Sequence, residues 1–232
     1  MTASDGMRIL IVTRNLPPLV GGMERLNWHM ADELAKVAEV RVVGPEGSAA
    51  LAPAGIVVRE APLQPLRKFL LRARALARKE ARQWRPDIVL AGSGLTAPIA
   101  RSAARPCGAQ TAVYVHGLDI AVRNLVYRMF WLPAIRRSDR VIANSHATAE
   151  LCRGIGVAPE RIGIVHPGVD LPDRASLSFG AGRRDEIAHV EPLSPGERGR
   201  GEGTGTRDAE LGDFRARHNV GDRPLLLSVG RL

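Results

Sequence analysis

RILIVTRNLPPLVGGMERLNWHMADELAKV, residues 8–37, is the stretch on which the fold turns. Residues 8–13 are an almost unbroken apolar run closed by turn formers, the pattern of a strand buried on both faces of a parallel sheet. Pro17, Pro18 and the Gly21-Gly22 pair break that run across a loop at 14–22. From about Met23 to Val37 the spacing becomes helical, with Leu26, Met30, Leu34 and Val37 on one apolar face. A buried strand, a glycine-bearing turn and an amphipathic helix in that order form the opening unit of an open α/β sheet.

The unit repeats along the chain. EVRVVG (39–44) and GIVVREA (55–61) read as second and third strands, followed by a helix at 66–84. DIVLAG (87–92) is the fourth strand, a small-residue helix lies near 95–105, and TAVYVHG (111–117) is the fifth strand. A helix at about 122–137 precedes DRVIANS (139–145), where Ser145 is placed to cap the next short helix. RIGIVHPGVD (161–170) closes the series. Strands alternating with helices at this beat predict an α/β fold, a doubly wound parallel sheet with right-handed crossovers. Periodicity stops at about residue 173, and SPGERGRGEGTGTRD within 173–213 is too glycine-rich and charged to bury a core. LLLSVGRL then resumes a buried-strand pattern up to Leu232. The expected organisation is a domain at 1–172, a low-complexity linker or insertion at 173–213, and the opening of a second domain at 214–232. One strand cannot make a domain, so the chain is expected to be an incomplete form.

Composition narrows the function class. Hydrophobic and charged shares of 45% and 25% are those of an ordinary globular protein. No apolar run reaches the ~20 residues that span a bilayer, and the N-terminus lacks the basic head of a signal peptide. Cys107 and Cys152 have no metal-ligand spacing and read as reduced thiols of a cytoplasmic protein. A net charge of +9 favours anionic partners: nucleic acid, a membrane surface, or phosphate-bearing substrates.

Five stretches, in order, resemble glycosyltransferase family 4, whose members have the GT-B fold. They are the strand-loop-helix with Gly-Gly-x-Glu-Arg at 21–25, AVYVHGLD, SDRVIANSHATAEL, RIGIVHPGVD, and RPLLLSVGRL, which looks like the first strand of the family's second domain. His166 stands where the family usually has an apolar residue, and the asparagine that usually follows the proline is absent. The resemblance implies a Rossmann-like N-terminal, acceptor-side domain of a retaining hexosyltransferase. It implies a nucleoside-diphosphate sugar as donor, and a lipid-linked, polysaccharide or small-molecule acceptor. It implies no cofactor and no metal, because GT-B enzymes neutralise the leaving nucleotide with side chains and helix dipoles. The family's second-domain lysine and paired glutamates have no counterpart in these 232 residues, so little activity is expected of this chain alone.

The candidate site residues follow. Gly21 and Gly22 lie where ligands bind in open α/β sheets, and glycines before a helix let backbone N–H groups approach an anion; a plain tight turn is the other reading. The resemblance places this loop by the donor phosphates and acceptor. Arg25 shares the first helical turn, either facing substrate or solvated and paired. His116 ends a strand and could hydrogen-bond a sugar hydroxyl; the resemblance makes it the candidate catalytic residue, against the donor sugar. Asp119 could touch substrate or cap a turn. Arg231 matches the family arginine that grips the donor diphosphate, a task suited to a forked guanidinium. Asn144, Ser145 and Asp170 read as structural. The first loop lacks G-x-G-x-x-G, which argues against a dinucleotide-binding domain.

Residues 66–85 concentrate positive charge: Arg67, Lys68, Arg72, Arg74, Arg78, Lys79, Arg82 and Arg85 oppose an apolar face of Leu66, Phe69, Leu70, Ala73, Leu76, Ala77, Ala81 and Trp84. Two readings stay open, a crossover helix with a solvated basic face and a peripheral anchor on the cytoplasmic face of an anionic membrane. Nucleic acid fits less well, since no aromatic side chains interleave with the basic face for stacking. A competing function is a non-catalytic remnant that only docks on a membrane or a partner.

Overall fold

Leu10 and Val12 point to one side of strand β1 (Arg8–Val12), Ile9 and Ile11 to the other, and all four are buried. That two-sided burial places β1 in the middle of a sheet. In the computed structural model, which describes residues 6–122 and 124–168, β1 pairs in parallel with β2 (Glu39–Pro45) on one side and β4 (Ile88–Ala91) on the other. The remaining strands, β3 (Val57–Ala61), β5 (Gln110–Val115), β6 (Arg140–Ala143) and β7 (Ile162–Ile164), complete a seven-stranded sheet of order β3-β2-β1-β4-β5-β6-β7, parallel at every pairing. The order reverses between β1 and β4, and the crevice at their carboxyl ends is where such sheets hold ligands.

Helices cover both faces, so the sheet is doubly wound. Alternate residues Ile9, Ile11, Val40, Val42 and Leu90 meet Ala31, Trp28, Met30 and Leu34 of α1 (Gly22–Ala35). The opposite parity, Leu10, Val12, Val43, Val89, Val113 and Val141, packs in one cluster with α2 (Leu66–Trp84), α3 (Ala97–Ala104), α5 (Leu125–Arg136) and α6 (His146–Gly154). Alanines dominate the inner faces of α2 and α3: Ala73, Ala77, Ala100 and Ala103 are fully buried. Small side chains there let helices lie close to the sheet, which suits a chain with few aromatics.

Several element boundaries differ from expectation. Helix α1 ends at Ala35, because the Val37 and Ala38 N–H groups turn back onto the Leu34 carbonyl before β2. Val37 therefore sits in the turn at 78% exposure instead of on the apolar face, and Asn27 and Ala31 form the buried line. Strand β5 stops at Val115, since His116 begins a short helix α4 (Gly117–Ala121) that sequence periodicity missed. The next helix starts at Leu125, where the Asn124 side chain accepts from the Tyr127 N–H at 3.1 Å. Ser145 caps α6 as expected, accepting from the Thr148 N–H at 3.2 Å.

Helix α2 shows the predicted apolar face except at its start, where Leu66 is exposed. Glu80, its only acid, is buried and bonded to Arg41 at 2.7 Å and Arg59 at 3.1 Å, which ties α2 to β2 and β3. Arg41 also stacks over Trp84, whose Nε1 donates to Glu39. Both cysteines are unpaired. Among the described residues no helix is long and apolar enough to cross a membrane. The stretches expected at 173–213 and 214–232, and Arg231 with them, lie outside the described residues.

Candidate functional site at the carboxyl edge

Each strand end on the carboxyl side of the switch contributes a polar residue. After β1 the chain leaves through buried Thr13, whose Oγ1 accepts from the Asn15 N–H at 3.1 Å. Asn15 in turn donates through Nδ2 to Glu24 Oε1 at 3.1 Å. Leu16, buried, plugs the loop against Gly44, and Ser48 donates to the Pro17 carbonyl at 2.8 Å, so the loop is anchored to the end of β2.

Gly21 has an extended backbone (φ 167°, ψ 171°) open to any residue, so its conformation does not call for glycine. A Cβ there would meet Glu24 Oε2 at 2.3 Å. The Glu24 carboxylate thus folds back over the first turn of α1, where partial positive charge collects. An anionic ligand approaching this turn meets a carboxylate already in place. Gly22 has open space around it, and Arg25 is exposed.

After β4 comes Gly92-Ser93-Gly94, a segment the sequence reading passed over. A Cβ on Gly92 would meet Asn27 Oδ1 at 2.3 Å and Thr13 Cβ at 2.7 Å; one on Gly94 would meet Tyr127 Oη at 2.7 Å and Asp119 Cβ at 2.8 Å. Both glycines therefore permit close packing at the switch point. Thr96 bonds to the Val12 carbonyl at 2.7 Å, and Trp131 Nε1 to that of Leu95 at 2.8 Å, fixing the segment from both sides. Tyr127 stacks on Trp131 with centroids 5.4 Å apart. The buried Ser93 hydroxyl and the Tyr127 hydroxyl have no hydrogen-bond partner among the described residues.

After β5 stands His116, half-buried and edge-on to Tyr114. The register pairs Val115 with Ala143, which brings Asn144 beside it. Thr148 Oγ1 donates to Asn144 Oδ1 at 2.6 Å, so the amide turns its Nδ2 toward His116 Nδ1, 3.3 Å away. An amide nitrogen can only donate, which makes Nδ1 the acceptor and leaves the proton on Nε2. Burial holds the imidazole pKa below its ordinary value, with Asp119 pulling the other way. His116 is thus a neutral ring whose Nε2–H is buried and has no partner among the described residues. A ring in that state can donate a hydrogen bond to an oxygen.

Asp119 caps a turn, one of its two expected roles. Its carboxylate accepts from the His116 N–H at 3.0 Å and from the Gly94 N–H, capping α4 and joining the ends of β4 and β5. Burial raises its pKa against those two bonds, and burial, reinforced by Asp119, pushes the Tyr127 hydroxyl up strongly. The structure therefore gathers His116 and Asp119 at one edge with the loop that ends in Gly21-Gly22. Tyr127 and Ser93 belong to the same edge and were not singled out from sequence, and Asn144, read from sequence as structural, stands there too. For Asn144 a signal existed: in a parallel sheet, residues just past paired strand ends are neighbours.

The profile of Glycosyltransferase Family 4 matches residues 20–172. Among solved structures, the chain is similar to Anabaena Alr3699/HepE in complex with UDP and glucose (TM-score 0.56, 19% identity, 71% of this chain and 45% of that one). It is also similar to UDP-N-acetylglucosamine 2-epimerase from Rickettsia bellii (TM-score 0.55, 11% identity, 70% and 45%). A third is the lipopolysaccharide outer core galactosyltransferase WaaB in its apo form (TM-score 0.51, 17% identity, 72% and 47%). At these identities the likeness is one of fold, shared by a transferase and an epimerase alike. The chain spans about half the length of these structures. No curated protein sequence matches it.

Proposed function

The chain belongs to glycosyltransferase family 4, and from that premise we propose that it is the acceptor-side half of a retaining GT-B enzyme. The enzyme moves a hexose from a nucleoside-diphosphate sugar to a lipid-linked, polysaccharide or small-molecule acceptor. The observation that carries this reading is the unpartnered Nε2–H of neutral His116 at the carboxyl edge of the switch. A neutral donor suits the polar atoms of a sugar, and a hydrogen bond that strengthens as charge develops accelerates the reaction. Asn144 and Thr148 fix the ring's tautomer, and Asp119 fixes the turn that carries it. The loop ending in Gly21 and Gly22 faces the nucleotide once Glu24 swings away, and Arg25 and Arg231 are proposed to meet the diphosphate from the two halves. Helix 66–85 is proposed to hold the protein on the cytoplasmic face of an anionic membrane.

The test is transfer from a panel of nucleotide-sugars, measured for the 232-residue chain and for any longer product of the same gene. Transfer by the longer product, abolished to within about 1% by His116→Ala and absent from the 232-residue chain, is the expected result. Full activity of His116→Ala would refute the role given to that ring.

A further inference from the structure

Two histidines that the site above does not use stand ring to ring. His146 and His166 have centroids 5.7 Å apart with planes inclined at 50°, and both are exposed. They come from different elements: His146 is the first residue of α6, and His166 follows β7.

The backbone under each ring is fixed. Ser145 caps α6 one residue before His146, which sets the angle at which the chain enters the helix. On the other side, the Val165 N–H donates to the Ala143 carbonyl at 3.0 Å, and the Val165 carbonyl accepts from the Tyr114 hydroxyl at 3.0 Å. Pro167 follows and restricts His166 to an extended backbone. Both anchors lead back to the end of β6, so the register of β6 with β7 sets the distance between the rings.

Imidazoles placed in this way chelate. Two rings on one zinc ion, each bonded at about 2.0–2.1 Å, have centroids about 5 Å apart in tetrahedral geometry. Side-chain rotation closes the small difference from the separation here. The second bond of a chelate forms at high effective concentration, so two preplaced ligands bind far more tightly than either alone. Charge selects the metal. Among the described residues no group of three histidine, cysteine, aspartate or glutamate side chains could hold an ion, and the positive end of α6 lies beside the pair. Magnesium and calcium take oxygen ligands and favour negative charge, and the pair offers neither. Imidazole nitrogen suits zinc, nickel and copper(II).

We propose that His146 and His166 bind one divalent transition-metal ion, zinc, nickel or copper(II), through one imidazole nitrogen each, with water on the remaining positions. The ion cross-links the start of α6 to the segment leaving β7. It thereby clamps β7, a three-residue strand at the edge of the sheet. The site stands apart from the transfer chemistry, and the proposal does not rest on the transferase reading.

Calorimetric titration of the untagged 232-residue chain with zinc chloride tests this without any sugar transfer. The expected result is one ion bound at the pair and a Tm that rises with zinc. His146→Asn and His166→Asn should each weaken binding about tenfold or more. The double variant should be little worse than either single one, because losing one ligand already destroys the chelate. Both side chains are exposed, so the metal-free Tm of each variant should match that of the parent. Substoichiometric copper(II), whose unpaired electron broadens nearby magnetic resonances, should erase the ring signals of His146 and His166 before those of the other histidines, a readout that needs no variant. Zinc bound equally well by His146→Asn/His166→Asn, the behaviour expected of ligation by the thiols of Cys107 and Cys152, would overturn the proposal. So would copper broadening that spares both rings, or a chain that binds no zinc.

Discussion

Asn144 decides what His116 can do. Its Nδ2 faces the ring's Nδ1 because Thr148 holds the other end of the amide, so protonating the imidazole sets two donors against each other. Nuclear magnetic resonance of the folded chain should give His116 a midpoint below the ordinary value of about 6.5. Asn144→Asp replaces a donor with a charged acceptor and should lift that midpoint by about a unit or more; an unchanged midpoint would show that the contact does not set the tautomer. The sign for stability follows. A histidine whose folded pKa is depressed contributes stability above its unfolded value and loses it as pH falls through the window between the two. Asp119, raised by burial, acts in the opposite sense, favouring the fold when protonated. Removing the ring with His116→Gln should therefore flatten the fall in Tm below about pH 6.5. Tyr127 gives a second test. Its hydroxyl is buried without a partner among the described residues and lies 2.7 Å from where a Cβ on Gly94 would stand, so Tyr127→Phe should leave urea stability unchanged or slightly higher. Gly94→Ala should cost about 1–3 kcal/mol, less in the Tyr127→Phe background because one of the two clashing groups is gone.

Among the elements, α2 is the one whose sequence said most. Its apolar and basic faces were legible from 3.6-residue spacing, since long runs of Leu, Ala and Arg admit one assignment. The burial of Glu80 was not legible, because spacing cannot see Arg41 and Arg59 arriving from other strands. Burial pushes the Glu80 carboxyl up, yet hydrogen bonds and charge from both arginines hold it below the ordinary carboxylate value. Glu80→Gln should cost about 1.5–3 kcal/mol at neutral pH. The gap from wild type should close as pH falls through the carboxyl's lowered folded pKa, and urea titrations at both pH values would show it. The strands were readable for the same reason as α2: buried parallel strands are continuous apolar runs bounded by turns. Helix α4 was not, because five residues cannot display a helical period. Strand-end chemistry was half-legible. His116 stood out as a histidine closing an apolar run, whereas Ser93 and Tyr127 matter through neighbours brought from other segments.

For the molecule as a whole, the uneven placement of charge is its own prediction. Basic residues on α2, α3 and α5 repel one another across one layer, and added salt screens that repulsion. Tm should rise with sodium chloride, and the rise should shrink when Arg72 and Arg78 become glutamine; a Tm indifferent to salt would count against the repulsion. The sheet order carries a different lesson, about how the protein is made. Read from the N-terminus, β2 adds beside β1, β3 beside β2, then β4 on the other side of β1, and β5, β6 and β7 each beside the strand before. Among the seven described strands, none has to wait for one not yet synthesised or squeeze between two already joined. A ribosome working from the N-terminal side delivers each of β2 to β7 to an edge that already exists, so assembly of this sheet can keep pace with translation.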